Sequence, residues 1–248
     1  MLARARYVVV GVVLTAALGA CGNAGSVGGP LAAPTAAATS SVRASASASP
    51  SAPASGEVQH TGGYQFPSYA YPFTPPGPPV ATSRKGGVEV TYFEVGRATT
   101  KRDSTFRDRE TGRNIWPAGS PVVYVEMVVT NVAAGRFFVS VAGPHPLVTL
   151  KSLDYLGGVS NLATFDTATA DGFGVHQYGI RTKDYDWTKG DHFPLDPGQS
   201  IAQAVALPLR TGEAYRFTLQ LDLYDRVEKG DDGHYVYFDP FSVTFPAR

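Results

Sequence analysis

Pro121-Val-Val-Tyr-Val-Glu-Met-Val-Val-Thr-Asn131 is the most regular stretch of the chain. Its apolar residues recur at every second position, the period of a β-strand with one buried face. Val123, Val125, Met127 and Val129 line the inward face, and Tyr124, Glu126 and Thr130 point outward. Read outward from this strand, the same period recurs in both directions. Residues 88–95 form a strand whose inward face switches near Tyr92 and Phe93, as a bulge would cause. Further strands are predicted over 136–141, 147–152, 200–209, 215–223, 234–238 and 241–245. Ser200 to Leu209 places Ile201, Val205, Leu207 and Leu209 on one side and three alanines on the other. No amphipathic helix exceeds two turns. Short strands separated by Gly, Pro and Asp turns point to an all-β, immunoglobulin-like antiparallel β-sandwich over 88–248.

Ahead of this domain the composition changes twice. Residues 60–87 form a Tyr/Pro-rich extended arm and hinge, with Tyr64, Phe66, Tyr69, Tyr71 and Phe73 set among prolines. Proline excludes helix and favours an extended backbone. Such an arm either packs on the flank of the domain or stays exposed as a recognition strip, since aromatic rings are good contact residues. Ser83 to Gly87 serves as its hinge. Residues 21–59 are dominated by Ala, Ser, Gly, Pro and Thr, with no aromatic residue, and cannot bury enough surface to offset chain entropy. This stretch reads as a disordered tether.

Residues 1–20 are built like a secretory signal: Arg4 and Arg6, then an apolar run from Tyr7 to Leu18. The run is shorter than the roughly 20 residues a spanning helix needs. It ends in Leu18-Gly19-Ala20-Cys21, which resembles a bacterial lipobox, whose cysteine becomes a diacylated N-terminus. Cys21 is the single cysteine of the chain, so it has no intrachain disulfide partner. The expected location is the extracytoplasmic side of a cell membrane, with the acyl chains supplying the anchor.

Charge narrows the partners. The 248 residues carry 21 basic and 21 acidic side chains, and from Gly86 onward 16 basic against 20 acidic. A domain near −4 is a poor match for nucleic acid, whose binding relies on basic surface. Membrane association through a polybasic patch is equally unsupported.

Two long segments, 96–119 and 153–197, separate the strands, and segments of this length are usually functional or mobile. The second carries Asp184-Tyr-Asp-Trp-Thr-Lys-Gly-Asp191-His192. Asp184, Asp186 and Asp191 are weak calcium candidates: Lys189 stands where an EF-hand loop needs glycine, and no closing glutamate follows. A solvated acidic loop is the simpler reading. His145, His176, His192 and His234 lack metal-ligand spacing, so no metal or other cofactor is expected. Tyr178, Tyr185, Trp187 and Phe193 crowd the same segment, either pinning it to the domain or offering a platform for carbohydrate or peptide. There is no Gly-x-Ser-x-Gly elbow, no His-Glu-x-x-His and no phosphate-cradling glycine loop.

Val122 to Asn131, Leu195-Asp-Pro-Gly-Gln-Ser200 and Ala204-Val-Ala-Leu-Pro208 together resemble the DUF4352 family of bacterial envelope lipoproteins over roughly 88–225. The resemblance implies an immunoglobulin-like sandwich of the telokin-like group. The order of signal, tether and domain also resembles lipoproteins of high-GC Gram-positive bacteria. Its motifs are structural and bring no catalytic residues. The function expected is a non-enzymatic, lipid-anchored envelope protein presenting a binding module for another envelope protein or a cell-wall polymer. The alternatives are a small glycan-acting enzyme using Asp184, Asp186 and Asp191, or a purely structural surface protein.

Overall fold

A computed structural model describes residues 58–140, 143–181, 192–224 and 233–247. These residues are mostly β, with antiparallel sheets and two short helical segments among them. The described residues open with a hairpin, β1 (Gln59–Thr61) and β2 (Tyr64–Phe66), turned by Gly62 and Gly63 at φ 58° and 84°. Two consecutive positive φ values mark the turn type that matches strand twist, and glycine adopts them without strain. β3 (Ala81–Lys85) and β4 (Val88–Thr99) form the next hairpin around Gly86 and Gly87. The expected hinge is therefore the second half of a strand and a tight turn. Its polar Thr-Ser-Arg-Lys sequence suits an edge strand, where charge discourages further pairing.

β5 (Pro121–Asn131) has the bounds read from sequence. It pairs with β4, and the ladder slips between Glu94 and Gly96, so the bulge lies just beyond the expected Tyr92–Phe93. Next come β6 (Phe137–Ser140), β7 (His145–Leu150), a 3-10 segment Lys151–Leu156, and one helix α1 (Thr167–Gly172). β8 (His192–Leu195) is a strand inside the segment expected to be irregular. β9 (Ser200–Pro208), β10 (Ala214–Tyr224), β11 (His234–Tyr237) and β12 (Phe241–Thr244) complete the order.

β3-β4-β5-β9 make a four-stranded sheet. In the second sheet β10 is central, with β7 and β6 along one side and β12 and β11 along the other; β8 extends it beyond β6. Inward residues of the two sheets share one apolar core. Val123, Val125, Met127 and Val129 meet Phe217, Leu219 and Leu221 there, and Tyr92 lies edge-on to Phe217 at 5.6 Å.

The far face of the four-stranded sheet is covered as well, which corrects the expectation that it meets water. Val122 to Val129 are all buried, Glu126 among them at 2% exposure. Two chain segments form the cover. From the arm, Phe73 packs on Phe93 at 5.6 Å and Tyr64 at 6.4 Å. From the segment after β7, Phe165 and Phe173 flank Tyr124 at 5.5 and 5.4 Å, and Ala204 donates its N–H to the His176 carbonyl at 2.8 Å. The two segments are joined by a bridge between Ala70 and Ile180. Ala202, Ala204 and Ala206 let the cover approach closely, so that a Cβ on Gly179 would meet the Ala202 carbonyl oxygen at 2.5 Å. Residues 153–181 are thus a packing layer, with Leu153, Val159, Leu162, Val175 and Ile180 buried.

Polar clamps hold the turns in place. The buried Asn131 donates to the carbonyls of Leu195 and Gly135 at 2.8 and 2.9 Å, and its Oδ1 accepts from Ala133 N–H. Pro197 and Gly198 turn the chain into β9, with Gly198 at φ 81° and a bond from Gln199 N–H to the Asp196 carbonyl. The other long segment is ordered around Trp116, which is buried beneath the Arg210 guanidinium at 5.0 Å.

Candidate functional site

The cover layer decides what the arm can do. Phe66 and Phe73, expected as possible binding residues, are 0% and 3% exposed and belong to the core. Their rings satisfy the fold and present nothing to a partner. Tyr64 is half-buried against Phe66 and Phe93, and burial raises its phenol above the usual value. Tyr69 donates its hydroxyl to the Pro194 carbonyl, which fixes the arm to β8. Tyr71 is half-buried and has partners as well. Its ring stacks on His176 at 3.8 Å, and the Arg181 guanidinium lies 5.5 Å from its centroid. Burial holds the His176 imidazole below its usual value, against the pull of the Asp171 carboxylate 3.6 Å away. Cys21, Asp184, Tyr185, Asp186, Trp187 and Asp191 lie outside the described residues.

A cleft of about 280 Å³ opens between the end of β4 and the start of α1. Thr100, Lys101 and Arg102 form one wall and residues 164–168 the other. Asp166 organises it. As the helix cap, its Oδ1 accepts from the Thr169 N–H at 2.8 Å and the Thr169 hydroxyl at 2.6 Å, and Lys101 Nζ joins at 2.7 Å. Its backbone meets the Tyr124 hydroxyl from the covered face of the sheet. Lys101, with the Thr169 bonds next, pulls the Asp166 carboxyl down to about 2. A carboxylate held this low stays ionised at neutral pH and makes a poor general acid. The lining contains no histidine or cysteine to act with it, so the cleft offers polar contact rather than proton transfer.

Among the described residues no three His, Cys, Asp or Glu side chains gather where a cation could be held. Among the exposed aromatic residues that the sequence does not single out, two share one strand. Tyr235 and Tyr237 stand 57% and 54% exposed on the outer face of β11, with ring centroids 6.1 Å apart. The alternation in His234-Tyr-Val-Tyr237 is their signal: only Val236 is needed inward. No protein-family model matches the chain, and no curated protein shows significant similarity to it.

Proposed function

We propose that this chain is a lipid-anchored bacterial envelope protein whose folded domain is a non-enzymatic binding module. The membrane reading rests on Leu18-Gly19-Ala20-Cys21 behind a basic and apolar leader, followed by a polar linker of low complexity. Acylated at Cys21, the chain is held on the extracytoplasmic side of the membrane, and the linker lets the domain stand off the bilayer. The cleft supports binding over catalysis. Its carboxylate is committed to Lys101 and Thr169, and no acid–base pair faces it. The partner class is another envelope protein or a cell-wall polymer.

An immunoglobulin-like sandwich of the DUF4352 type is the finer fold reading we adopt. Tyr215 supports it. At the start of β10 its hydroxyl donates to the Pro208 carbonyl and accepts from the Arg210 N–H, both at 2.6 Å. A buried tyrosine bonded back to the chain a few residues upstream is a corner device of such sandwiches. Asn131 and the Pro197-Gly198 turn, two of the three motifs behind the resemblance, meet at one place: Asn131 N–H donates to the Gln199 carbonyl, and Gly198 N–H to that of Asn131.

The test is cross-linking of intact envelopes followed by capture of the chain. Recovery of one specific envelope protein or polymer supports the module reading. Repeated capture of nothing specific, with the chain present at normal level, overturns it.

A further inference from the structure

The four-stranded sheet is closed on both faces, but among the described residues the sheet built on β10 has an open one. Arg216, Thr218, Gln220 and Asp222 point outward from β10 while Tyr215, Phe217, Leu219 and Leu221 are buried. Cross-strand register sorts this face into rows. Tyr237, Gln220 and His145 share one row, and Tyr235 lies beside Asp222 in the next. Each row therefore sets an aromatic ring next to a hydrogen-bonding side chain.

We propose that this face binds the flat side of an uncharged, β-linked pyranose chain, with Tyr235 and Tyr237 as the stacking platform and Gln220 and Asp222 reading hydroxyls. The site rests on the binding-module reading above and names its ligand class. Two observations and one general property of sugars point to this occupant. The rings lie side by side along one strand at 6.1 Å with a 45° tilt, so successive sugars of an extended chain can each meet one ring. The C–H groups on a pyranose face carry slight positive charge and suit the negative face of a phenol ring. Gln220 Nε2 donates to Asp222 Oδ1 at 3.2 Å, which orients both groups and leaves acceptor positions for sugar hydroxyls.

Charge excludes the other polymers. Arg216 and Asp222 offset one another on this face, and His145 lies 3.9 Å from the Asp222 carboxylate. Nucleic acid or an anionic bilayer would require clustered cations here. Apolar side chains are also too sparse for a protein interface core: beyond the tyrosines, Leu147 is the large apolar residue exposed on these strands at 50%. A strand face without a concave pocket suits an extended polymer better than a small molecule, which needs a concave site. β11 borders the sheet, so a chain lying along it meets no further strand on that side among the described residues.

The experiment is calorimetric titration of the detergent-solubilised full chain with cellohexaose and chitohexaose, with maltohexaose as the curved control. Binding of at least one extended hexaose is expected. Tyr235→Ala or Tyr237→Ala should weaken it about tenfold, the double variant should abolish it, and Tyr178→Ala should leave it unchanged. Because both tyrosines are exposed, the double variant should melt with the parent. Should it melt early, the Tyr235→Phe/Tyr237→Phe pair must retain binding while Gln220→Ala weakens it. Binding of neither extended hexaose, equal binding of maltohexaose, or undiminished binding by the double variant would overturn the proposal. Envelope capture with the double variant separates the two failures. A partner still recovered, with no hexaose bound, leaves the module reading standing and removes this face.

Discussion

Glu126 is where the fold is most exposed to a direct test. The side chain projects from the middle of β5 between Phe93 on β4 and Ala204 on β9, under the cover formed by the arm and residues 153–181. Its Oε2 has no hydrogen-bond partner, and burial alone raises the carboxyl well above its ordinary 4.5. The folded protein therefore retains a proton that the unfolded chain loses above about pH 4.5. Between that pH and the raised folded value, stability should fall by about 1.4 kcal/mol per pH unit. Below pH 4.5 both states are protonated and the slope vanishes.

Three substitutions separate the contributions. Glu126→Gln keeps the shape and removes the proton, so the pH slope belonging to this group should disappear. Glu126→Met also removes the unpaired polar atom and should add about 1–3 kcal/mol at pH 5, with a larger gain at pH 8. Glu126→Lys places an ammonium where no carboxylate faces it and should cost more than about 3 kcal/mol. Urea midpoints measured from pH 5 to 8 give all three. A constant difference between parent and Gln variant across that range would refute the buried-carboxyl reasoning. A Lys variant as stable as the parent would show the outer face of β5 to be open to water.

Further outcomes follow from other contacts. Gly179→Ala should cost about 1–3 kcal/mol and raise hydrogen exchange in residues 176–181, because its Cβ meets the Ala202 carbonyl at 2.5 Å and backbone cannot swing away. Asn131→Ala should cost about 2–4 kcal/mol by thermal melting, since the buried Leu195 carbonyl loses its donor. Asp166 contributes stability that is present above the unfolded carboxylate value near 3.8 and is lost as pH falls through about 2. In Lys101→Met the folded value moves back toward 3.8, so acid titration should show a smaller loss that is complete at a higher pH than in the parent. Cys21→Ser should release the chain from membranes in a salt-washed fractionation, and continued sedimentation would remove the lipoprotein reading.

What the sequence disclosed depended on how far each contact reaches along the chain. β5 was legible to the residue because its own alternation carries the signal. The Pro197-Gly198 turn was legible because proline and glycine fix local backbone angles. The covering of the outer face was not, since Phe73 and Phe173 reach it from residues remote in the chain. Hints were present. Tyr124 and Val128 are apolar at outward positions, and Ala202, Ala204 and Ala206 are small where a surface strand would carry long polar groups. A strand buried on both faces reads as a nearly continuous apolar run, which Val122 to Val129 is, broken only by Glu126. β8 was missed because Pro194 and a neighbouring acidic stretch mark it as a loop. Tyr235 and Tyr237 fall within the strand predicted over 234–238; the role proposed for them depends on the rows they share with Gln220 and Asp222, which register alone reveals.

The closed and open faces bear on one another. An arm used as a recognition strip would have to leave the sheet. That breaks the Ala70–Ile180 bridge and the bond from Tyr71 N–H to the Gly179 carbonyl, and it exposes Phe66 and Phe73 to water. Burying each of those rings again is worth about 1.5–3 kcal/mol, so a partner must first overcome several kcal/mol before it gains anything. Chymotrypsin should accordingly spare Tyr64 to Phe73 in the folded protein, and rapid cutting there would reverse the argument. Lifting the arm would also admit water to Glu126 and let it ionise, so any such release would be favoured as pH rises. The outer face of β10 carries no such cost. Its tyrosines are already exposed, its polar groups are already ordered by one another, and a ligand can dock there with the fold unchanged.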